Sequence, residues 1–362
     1  MANTQTHSPL VSIITPVHNN GEYIAECIES VLGQTYANWD YTIVNNCSTD
    51  RSAEIARKYA ARHSRIKVVD NDKFLRVVAN HNHALQQASS DSKYCKMVFA
   101  DDWIYPRCIE EMVAVAEAYP SVGIVGSYGL EEQRIVWSGL PYSSTFVRGR
   151  DICRRLFLDG LYIFGTPTSV LYRTDLLRGR RSFFNESNFH ADREACVVAM
   201  KTWDFGFVHQ ILTFKRLGSS CLTRAVGWDL MTHFGCMLQT LSEYGHHFLN
   251  LDEFEHCLEQ LLKEYYSFLA ISALKGRFDQ RFWDYQKAKL NQTVGFSRSR
   301  LAGAVLARLC RALLNPYETI EKLQEARQHR RYSGIRRNEQ TTNAPNPHLS
   351  ESVRHSNRLV SE

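Results

Sequence analysis

The first hundred residues alternate short, β-branched apolar runs with amphipathic segments of helical length, and that alternation leaves few folds open. Leu10–Val17 (LVSIITPV) is an apolar run halted by His18-Asn19-Asn20-Gly21. Apolar residues then fall at Tyr23, Ile24, Cys27, Ile28, Val31 and Leu32, the spacing of one helical stripe, with Asn19 or Asn20 as its expected cap. Asp40–Asn46 predicts a second strand. Ser48-Thr49-Asp50 is the expected cap of a helix over Ser52–His63, and Ile66–Asn71 a third strand. Val77–Ala88 follows as helix and Tyr94–Ala100 (YCKMVFA) as the fourth strand. Strands separated by helices of this length form βαβ units and a largely parallel sheet.

Further strands are expected at Ser121–Tyr128, Arg134–Trp137, Thr168–Arg173 and Gly206–Phe214, with a helix over Ala191–Trp203. Beyond Trp228 the periodicity is almost wholly helical, clearest in Leu230–Tyr244, Phe254–Leu274 and Leu301–Leu314. From Tyr332 the chain is polar and poor in apolar residues, the composition of a disordered tail. The sequence thus divides into an α/β domain over 8–220, a helical region over 221–331 and a tail over 332–362.

Composition limits the function classes. With 44% hydrophobic and 22% charged residues, the chain is a globular protein with material for one large domain or two. No apolar run is long enough to span a bilayer, and the N-terminus has no basic stretch leading into an apolar core. The ten cysteines contain no C-x-x-C pair. Cys27, Cys95, Cys196, Cys257 and Cys310 fall inside periodic segments and read as buried thiols of a reducing cytoplasm. No Gly-x-Gly-x-x-Gly or phosphate-binding P-loop is present. Between Ala273 and Arg337 there are 15 Lys/Arg against 5 Asp/Glu. That bias suits an anionic surface such as a membrane, or simply a solvated helix face. It is the only feature that would favour nucleic acid, and no nucleic-acid partner is expected.

Asp101-Asp102 carries the chemistry. Aspartate is a poor strand residue, and two of them after an apolar run place negative charge at the rim of a sheet, where open α/β folds bind ligands. Adjacent carboxylates repel, and a cation relieves that repulsion. Oxygen donors of this kind suit Mg²⁺ or Mn²⁺ shared with a phosphorylated ligand. The alternative is a cap on a helix near Pro106–Tyr119. Asn45-Asn46, Ser48-Thr49-Asp50 and Asn80-His81-Asn82 fall near the same strand ends, polar groups able to line a nucleotide pocket.

The run VSIITPVHNNGEYIAECIESVLGQTYANWDYTIVNNCSTDRSAEIARKYA resembles the opening of family 2 glycosyltransferases, which have the GT-A fold. Ser30-Val31-Leu32-Gly33-Gln34-Thr35 and Ser48-Thr49-Asp50 match that family's motifs. Asn82-His83-Ala84-Leu85 is similar to its Asn-x-Gly-Leu, and Asp101-Asp102 fall on its metal-binding acidic motif. The likeness covers roughly residues 10–215. It implies a GT-A type, Rossmann-like mixed and mostly parallel sheet flanked by helices, with a helical C-terminal extension. It also implies a nucleotide-sugar pocket over Thr15, Pro16, Val17, Asn45, Asn46, Asn82 and Asp101, and a divalent metal, Mn²⁺ or Mg²⁺, at Asp101 and Asp102.

The departures are specific. Asn45-Asn46 stand where the family has Asp-Asp, Cys47 replaces a glycine, and Phe99 replaces the first acid of an Asp-x-Asp. A cysteine strains a turn of positive φ. In Phe189-His190-Ala191-Asp192-Arg193-Glu194 the resemblance makes Asp192 the catalytic base and Glu194 the fallback, with His190 beside the acceptor. Asp192 as a simple helix cap is the competing reading. Gly165-Thr166-Pro167-Thr168 is either a wall of that site or a turn.

The resemblance implies an inverting transfer of sugar from a nucleotide-diphosphate donor to the hydroxyl of a glycan or lipid-linked acceptor, in surface-glycan assembly. The expected setting is cytoplasmic, including the inner face of the membrane. An inactive nucleotide-sugar-binding scaffold and a sugar nucleotidyltransferase are the alternatives. The latter usually opens with a Gly-rich loop, where this chain has Pro16-Val17-His18-Asn19-Asn20. Leu301–Leu314, apolar on one side with interspersed arginines, is expected to pack on its own chain, form a dimer contact or lie on an anionic membrane. Tyr265, Tyr266 and Phe268 are expected in a core rather than as a sugar platform.

Overall fold

A computed structural model describes residues 8–178, 182–217, 230–276 and 279–314. The expected tail over 332–362 lies outside the described residues, as do 221–229. The N-terminal half follows the expected alternation. Strands β1 (Val11–Val17), β2 (Trp39–Asn45), β3 (Ile66–Asp70) and β4 (Tyr94–Met97) are separated by helices α1 (Ile24–Leu32), α2 (Ser52–Ala60) and α3 (Val77–Leu85). The four strands run parallel in the order β3-β2-β1-β4.

After β4 come β5 (Trp103–Ile104), α4 (Cys108–Ala118), β6 (Val122–Glu131), β7 (Arg134–Val136), β8 (Phe146–Val147) and α5 (Gly149–Asp159). They lead to a one-turn 3₁₀ helix, Pro167–Ser169, then β9 (Val170–Arg173), α6 (Ala191–Ala199) and β10 (Asp204–Lys215). β9 enters antiparallel between β4 and β6, β10 runs parallel to β6, and β5 closes the edge antiparallel to β10. The sheet is therefore mixed and mostly parallel. Because β9 runs backwards, its start lies at the edge where β1, β2 and β4 end. That places Pro167–Ser169 beside the residues that follow β4.

The core explains the layering. Ile24, Cys27, Ile28 and Val31 form the buried stripe of α1. Ile109, Met112, Val113 and Ala116 of α4 join the same core beneath β1, β2 and β4. A second core under β6, β9 and β10 is rich in aromatics, with Phe164, Tyr172, Phe205 and Phe207 wholly or almost wholly buried. Helix α5 seals that core through Ile152, Cys153 and Leu156. The sequence reading assigned no helix there, because charged residues crowd this short segment.

Several local expectations change. Helix α1 has no side-chain cap; the Asn20 carbonyl instead accepts from the backbone N–H of Tyr23 and of Ile24, both at 3.0 Å. Asn19 accepts from the Thr49 N–H at 2.8 Å. Asp50 accepts from the Ser52 N–H at 2.9 Å at the start of α2 and from the Gly21 N–H at 2.8 Å. The two loops at this sheet edge are thus tied together. Cys47 has φ 55°, so the strained turn is kept despite the missing glycine.

Helices α7 (His233–Tyr244), α8 (Leu251–Lys275), α9 (Gln280–Thr293) and α10 (Arg298–Leu314) complete the described chain. It divides into two compact units. The first takes in the described residues up to Tyr265 together with α9 through Phe296, and the second holds Tyr266–Gly276 and the residues from Ser297 on. Tyr265 and Tyr266 are buried, as expected. In the second unit the Ser297 N–H donates to the Tyr266 hydroxyl at 2.7 Å. Helix α10 buries none of its residues fully. Cys310 lies on it exposed, not buried, whereas Cys27, Cys95, Cys196 and Cys257 are buried. No described helix is long and apolar enough to cross a membrane.

Candidate active site

Asp101 and Asp102 follow β4 in a turn closed by the Asp102 N–H on the Phe99 carbonyl at 3.0 Å. Helix α4 begins only at Cys108 with Arg107 as its cap residue, so neither aspartate caps it. The two carboxylates are placed differently. Asp102 is buried at 3% exposure. Its Oδ2 accepts from the Thr168 hydroxyl at 2.7 Å and its Oδ1 from the Arg216 N–H at 3.1 Å. Asp101 is half-buried, and its carboxylate takes no hydrogen bond from any other described residue.

Burial raises the pKa of both groups, and the Asp101 charge raises that of Asp102 further. Thr168 and Arg216 act against that rise at Asp102 by bonding its charged form. Lys215 and Arg216 supply the opposing positive field. The Arg216 side chain is fixed by contacts of its own. Its Nε donates to the Asp101 carbonyl at 3.2 Å, its Nη2 pairs with Glu26 at 2.7 Å, and its guanidinium lies 4.3 Å over the Tyr23 ring.

The frame around Thr168 is equally constrained. Its hydroxyl accepts from the Phe99 N–H at 3.1 Å. Lys96, wholly buried, donates to the carbonyls of Thr168 at 2.6 Å and Val170 at 3.1 Å. Gly165 has φ +68°, and a Cβ there would meet Ser169 Oγ at 2.0 Å and Trp137 at 2.8 Å, so only glycine fits this turn. The segment expected as a wall or a turn is therefore the clamp on the acidic pair. The sequence reading missed Lys96, Lys215 and Arg216. The visible signal of the last two was a basic pair closing the last strand of the sheet.

Asp101 and Asp102 are oxygen donors with raised affinity for positive charge, and the free Asp101 carboxylate fits a hard divalent cation. Among the described residues no cluster of three or more His, Cys, Asp or Glu could hold a metal alone. Further ligands for a cation there would come from a diphosphate and water.

The predicted nucleotide residues lie at the same sheet edge, but most are occupied within the protein. The Thr15 hydroxyl points inward, 2.8 Å from the Tyr41 hydroxyl, and Pro16 and Val17 are buried beside it. Asn45 donates to Asp70 at 2.7 Å and accepts from the Ser48 N–H at 3.1 Å. Asn46 donates to the Leu75 carbonyl at 2.8 Å and accepts from the Leu75 N–H at 2.9 Å. Asn82 donates to the Phe184 carbonyl at 2.9 Å and accepts from the Phe184 N–H at 2.8 Å. These amides set the course of the loops at 71–75 and 183–186. Phe99 stacks on His81 with ring centroids 4.8 Å apart.

Asp192 lies in the first turn of α6, half-buried. One oxygen accepts from the N–H of Arg193 at 2.8 Å. Burial raises its pKa, while Arg193 and Lys215 pull the other way. The charge of Lys215 acts on Asp101, Asp102 and Asp192 alike. Glu194 is different: it is 3% exposed and accepts from Asn185 at 3.0 Å, Asn188 at 2.5 Å and the Tyr244 hydroxyl at 3.0 Å. His190 contacts the Thr232 hydroxyl at 3.1 Å, and burial followed by the charge of Arg193 lowers its pKa to about 4.

Comparison with known proteins agrees with this fold. Residues 12–180 match the family model of glycosyl transferase family 2. The chain is 35% identical over 153 residues to EpsE of Bacillus subtilis, covering 40% of this chain and 54% of that protein. It is 28% identical over 194 residues to the glycosyltransferase GlyG of Streptococcus pneumoniae, covering 51% and 62%. These matches thus span between half and two thirds of the relatives' length. Among solved structures, S. aureus TarS residues 1–349 in complex with UDP-GlcNAc superimposes with a TM-score of 0.60 at 18% identity, over 78% of this chain and 80% of that one. The shared fold is GT-A, and residues 12–180, just under half of the chain, are similar to glycosyl transferase family 2.

Proposed function

We propose that this protein transfers a sugar from a nucleotide-diphosphate donor to an acceptor hydroxyl with inversion at the anomeric carbon, in the assembly of a glycan or glycolipid. The observation that carries the reading is the Asp101 carboxylate, half-buried after β4 with no hydrogen bond from another described residue; the charge of Lys215 acts both on it and on the half-buried Asp192. One marks the leaving-group side and the other the attacking side of a displacement.

In this mechanism the acceptor oxygen attacks the anomeric carbon as the bond from that carbon to the diphosphate oxygen breaks. The acceptor proton passes to the Asp192 carboxylate, and the electron pair of the broken bond leaves with the nucleoside diphosphate. One displacement gives inversion. Asp192 is the better base than Glu194, whose oxygens are committed to Asn185, Asn188 and Tyr244. Asp101 would hold Mn²⁺ or Mg²⁺, with Asp102 behind it fixing the turn. The chemistry such a cation supplies is neutralisation of charge on the departing diphosphate. Lys215 and Arg216 add fixed positive charge at the same edge. The loops set by Asn45 and Asn46 frame the nucleotide.

The test is a panel of UDP-, GDP- and dTDP-sugars incubated with the purified chain, with Mn²⁺ or with EDTA. UDP sugars come first because the TarS complex contains UDP-GlcNAc. Metal-dependent binding or slow hydrolysis of one donor supports the reading. Absence of both with every donor would favour a scaffold that keeps the fold without the chemistry.

A further inference from the structure

Arg193 follows the proposed base and is only 9% exposed. Its guanidinium lies 4.4 Å over the ring of Tyr162. It enters no ion pair, and its Nε has no hydrogen-bond partner among the described residues. A charged group withdrawn from water in this way is costly unless an anion completes it. Asp192 accepts from its backbone N–H and acts on the guanidinium through space.

The surroundings form a site rather than a packing defect. The Arg193 charge reaches both His190 and His233. Burial first and Arg193 second lower the pKa of the half-buried His190 to about 4, so at neutral pH it is an uncharged hydrogen-bonding group that does not compete for an anion. The two rings lie edge to face, 6.1 Å apart. His233 is exposed and Asp192 half-buried, so the group of residues opens to solvent beside the carboxylate that must meet the acceptor hydroxyl. The diphosphate is not the natural occupant. Lys215 and Arg216 act on Asp101, where the leaving group is placed, whereas Arg193 acts on Asp192, His190 and His233. A planar guanidinium stacked on a ring keeps its edge for in-plane, forked contact with a carboxylate or phosphate.

We propose that Arg193, with His190 and His233, binds an anionic group carried by the acceptor, a carboxylate or a phosphate, so that the enzyme selects acidic acceptors. This rests on the glycosyltransferase reading for the word acceptor, but the anion site is testable without any turnover.

Ligand-observed NMR titrations in EDTA, which keeps phosphates from a metal at the acidic pair, would compare three probes. Methyl β-D-glucuronide offers a carboxylate, sn-glycerol 3-phosphate a phosphate, and methyl β-D-glucoside neither. One charged probe is expected to bind wild-type protein at least ten-fold tighter than the glucoside, and which one does so identifies the group. Arg193→Gln is expected to abolish that preference and Arg193→Lys, which keeps charge but not the fork, to retain part of it. Equal binding of charged and neutral probes, no binding of either charged probe, or a preference that survives Arg193→Gln would overturn the proposal. Thermal melts establish that the variants fold. If Arg193→Gln does not, a several-fold loss for the charged probe alone in Arg193→Lys supports the proposal, and an unchanged preference overturns it. Failure of every nucleotide to bind with Mn²⁺ would remove the glycosyltransferase reading and leave this titration standing.

Discussion

Thr168 donates its hydroxyl to Asp102 Oδ2 over 2.7 Å, joining the one-turn helix before β9 to the turn after β4. The bond decides which of two adjacent carboxylates faces outward. Asp102 is gripped and buried, and Asp101 is left free at the edge. The reversed direction of β9 makes this possible, because it returns the chain to the edge where β4 ends.

Thr168→Val keeps the shape and removes that donor. A buried carboxylate short of one partner costs about 1–3 kcal/mol. The cost depends on pH. The Asp102 pKa is raised in the folded state, so between the usual carboxylate value and the raised one the native protein binds more protons than the unfolded chain, and stability falls as pH rises. Thr168 favours the ionised form, so its loss widens that window upward. Urea unfolding in EDTA is expected to show a larger deficit for Thr168→Val at pH 8 than at pH 5. An equal deficit at both would mean that the hydroxyl does not act through the Asp102 charge.

Asp192→Asn removes the proposed base while keeping its size. Turnover is expected to fall by about 10²–10⁴-fold, the usual worth of general-base assistance, with nucleotide binding retained. In the wild type the acid limb of kcat/KM should lie above the ordinary aspartate range, because burial raises this pKa and the ionised form is the active one. The variant should lose that limb. Full activity in Asp192→Asn would remove the base assignment.

Much of this was legible in the sequence, and the remainder has a physical reason. The alternation of strands and helices follows from the β-branched runs and helical stripes of the first hundred residues, which are local signals. The acidic pair stood out because two aspartates are anomalous after an apolar strand. Its supports did not, since Thr168 lies 66 residues from Asp102 and Arg216 lies 114 residues from it. Residue type did not reveal the partners of the asparagines: both ends of the Asn46 and Asn82 amides hold backbone. Helix α10 shows the converse, an amphipathic pattern that foretold the helix but not what covers it.

Glu194 and Asp192 lie two residues apart on α6, and the structure separates them. Glu194 accepts from Asn185, Asn188 and Tyr244, so it ties α6 to the preceding segment and to α7. Glu194→Gln turns one acceptor oxygen into an NH₂ group facing donors. It is expected to destabilise the fold by about 1–3 kcal/mol, measured by urea unfolding, with kcat per folded molecule within ten-fold of wild type. A collapse of kcat with unchanged stability would move the base from Asp192 to Glu194.

Asp101→Ala completes the set. Its carboxylate holds no other described residue in place, so its removal costs the fold little and relieves the neighbouring Asp102 of a like charge. The unfolding midpoint should therefore hold steady or rise. Mn²⁺-dependent affinity for the preferred nucleotide should fall by at least ten-fold, while the weaker affinity measured in EDTA stays as it was. This opposition of a stability kept and a metal effect lost separates a ligand from a structural residue. If affinity fell equally with Mn²⁺ and with EDTA, Asp101 would be contacting the nucleotide itself. The positive charge opposing the diphosphate would then come from Lys215 and Arg216 alone.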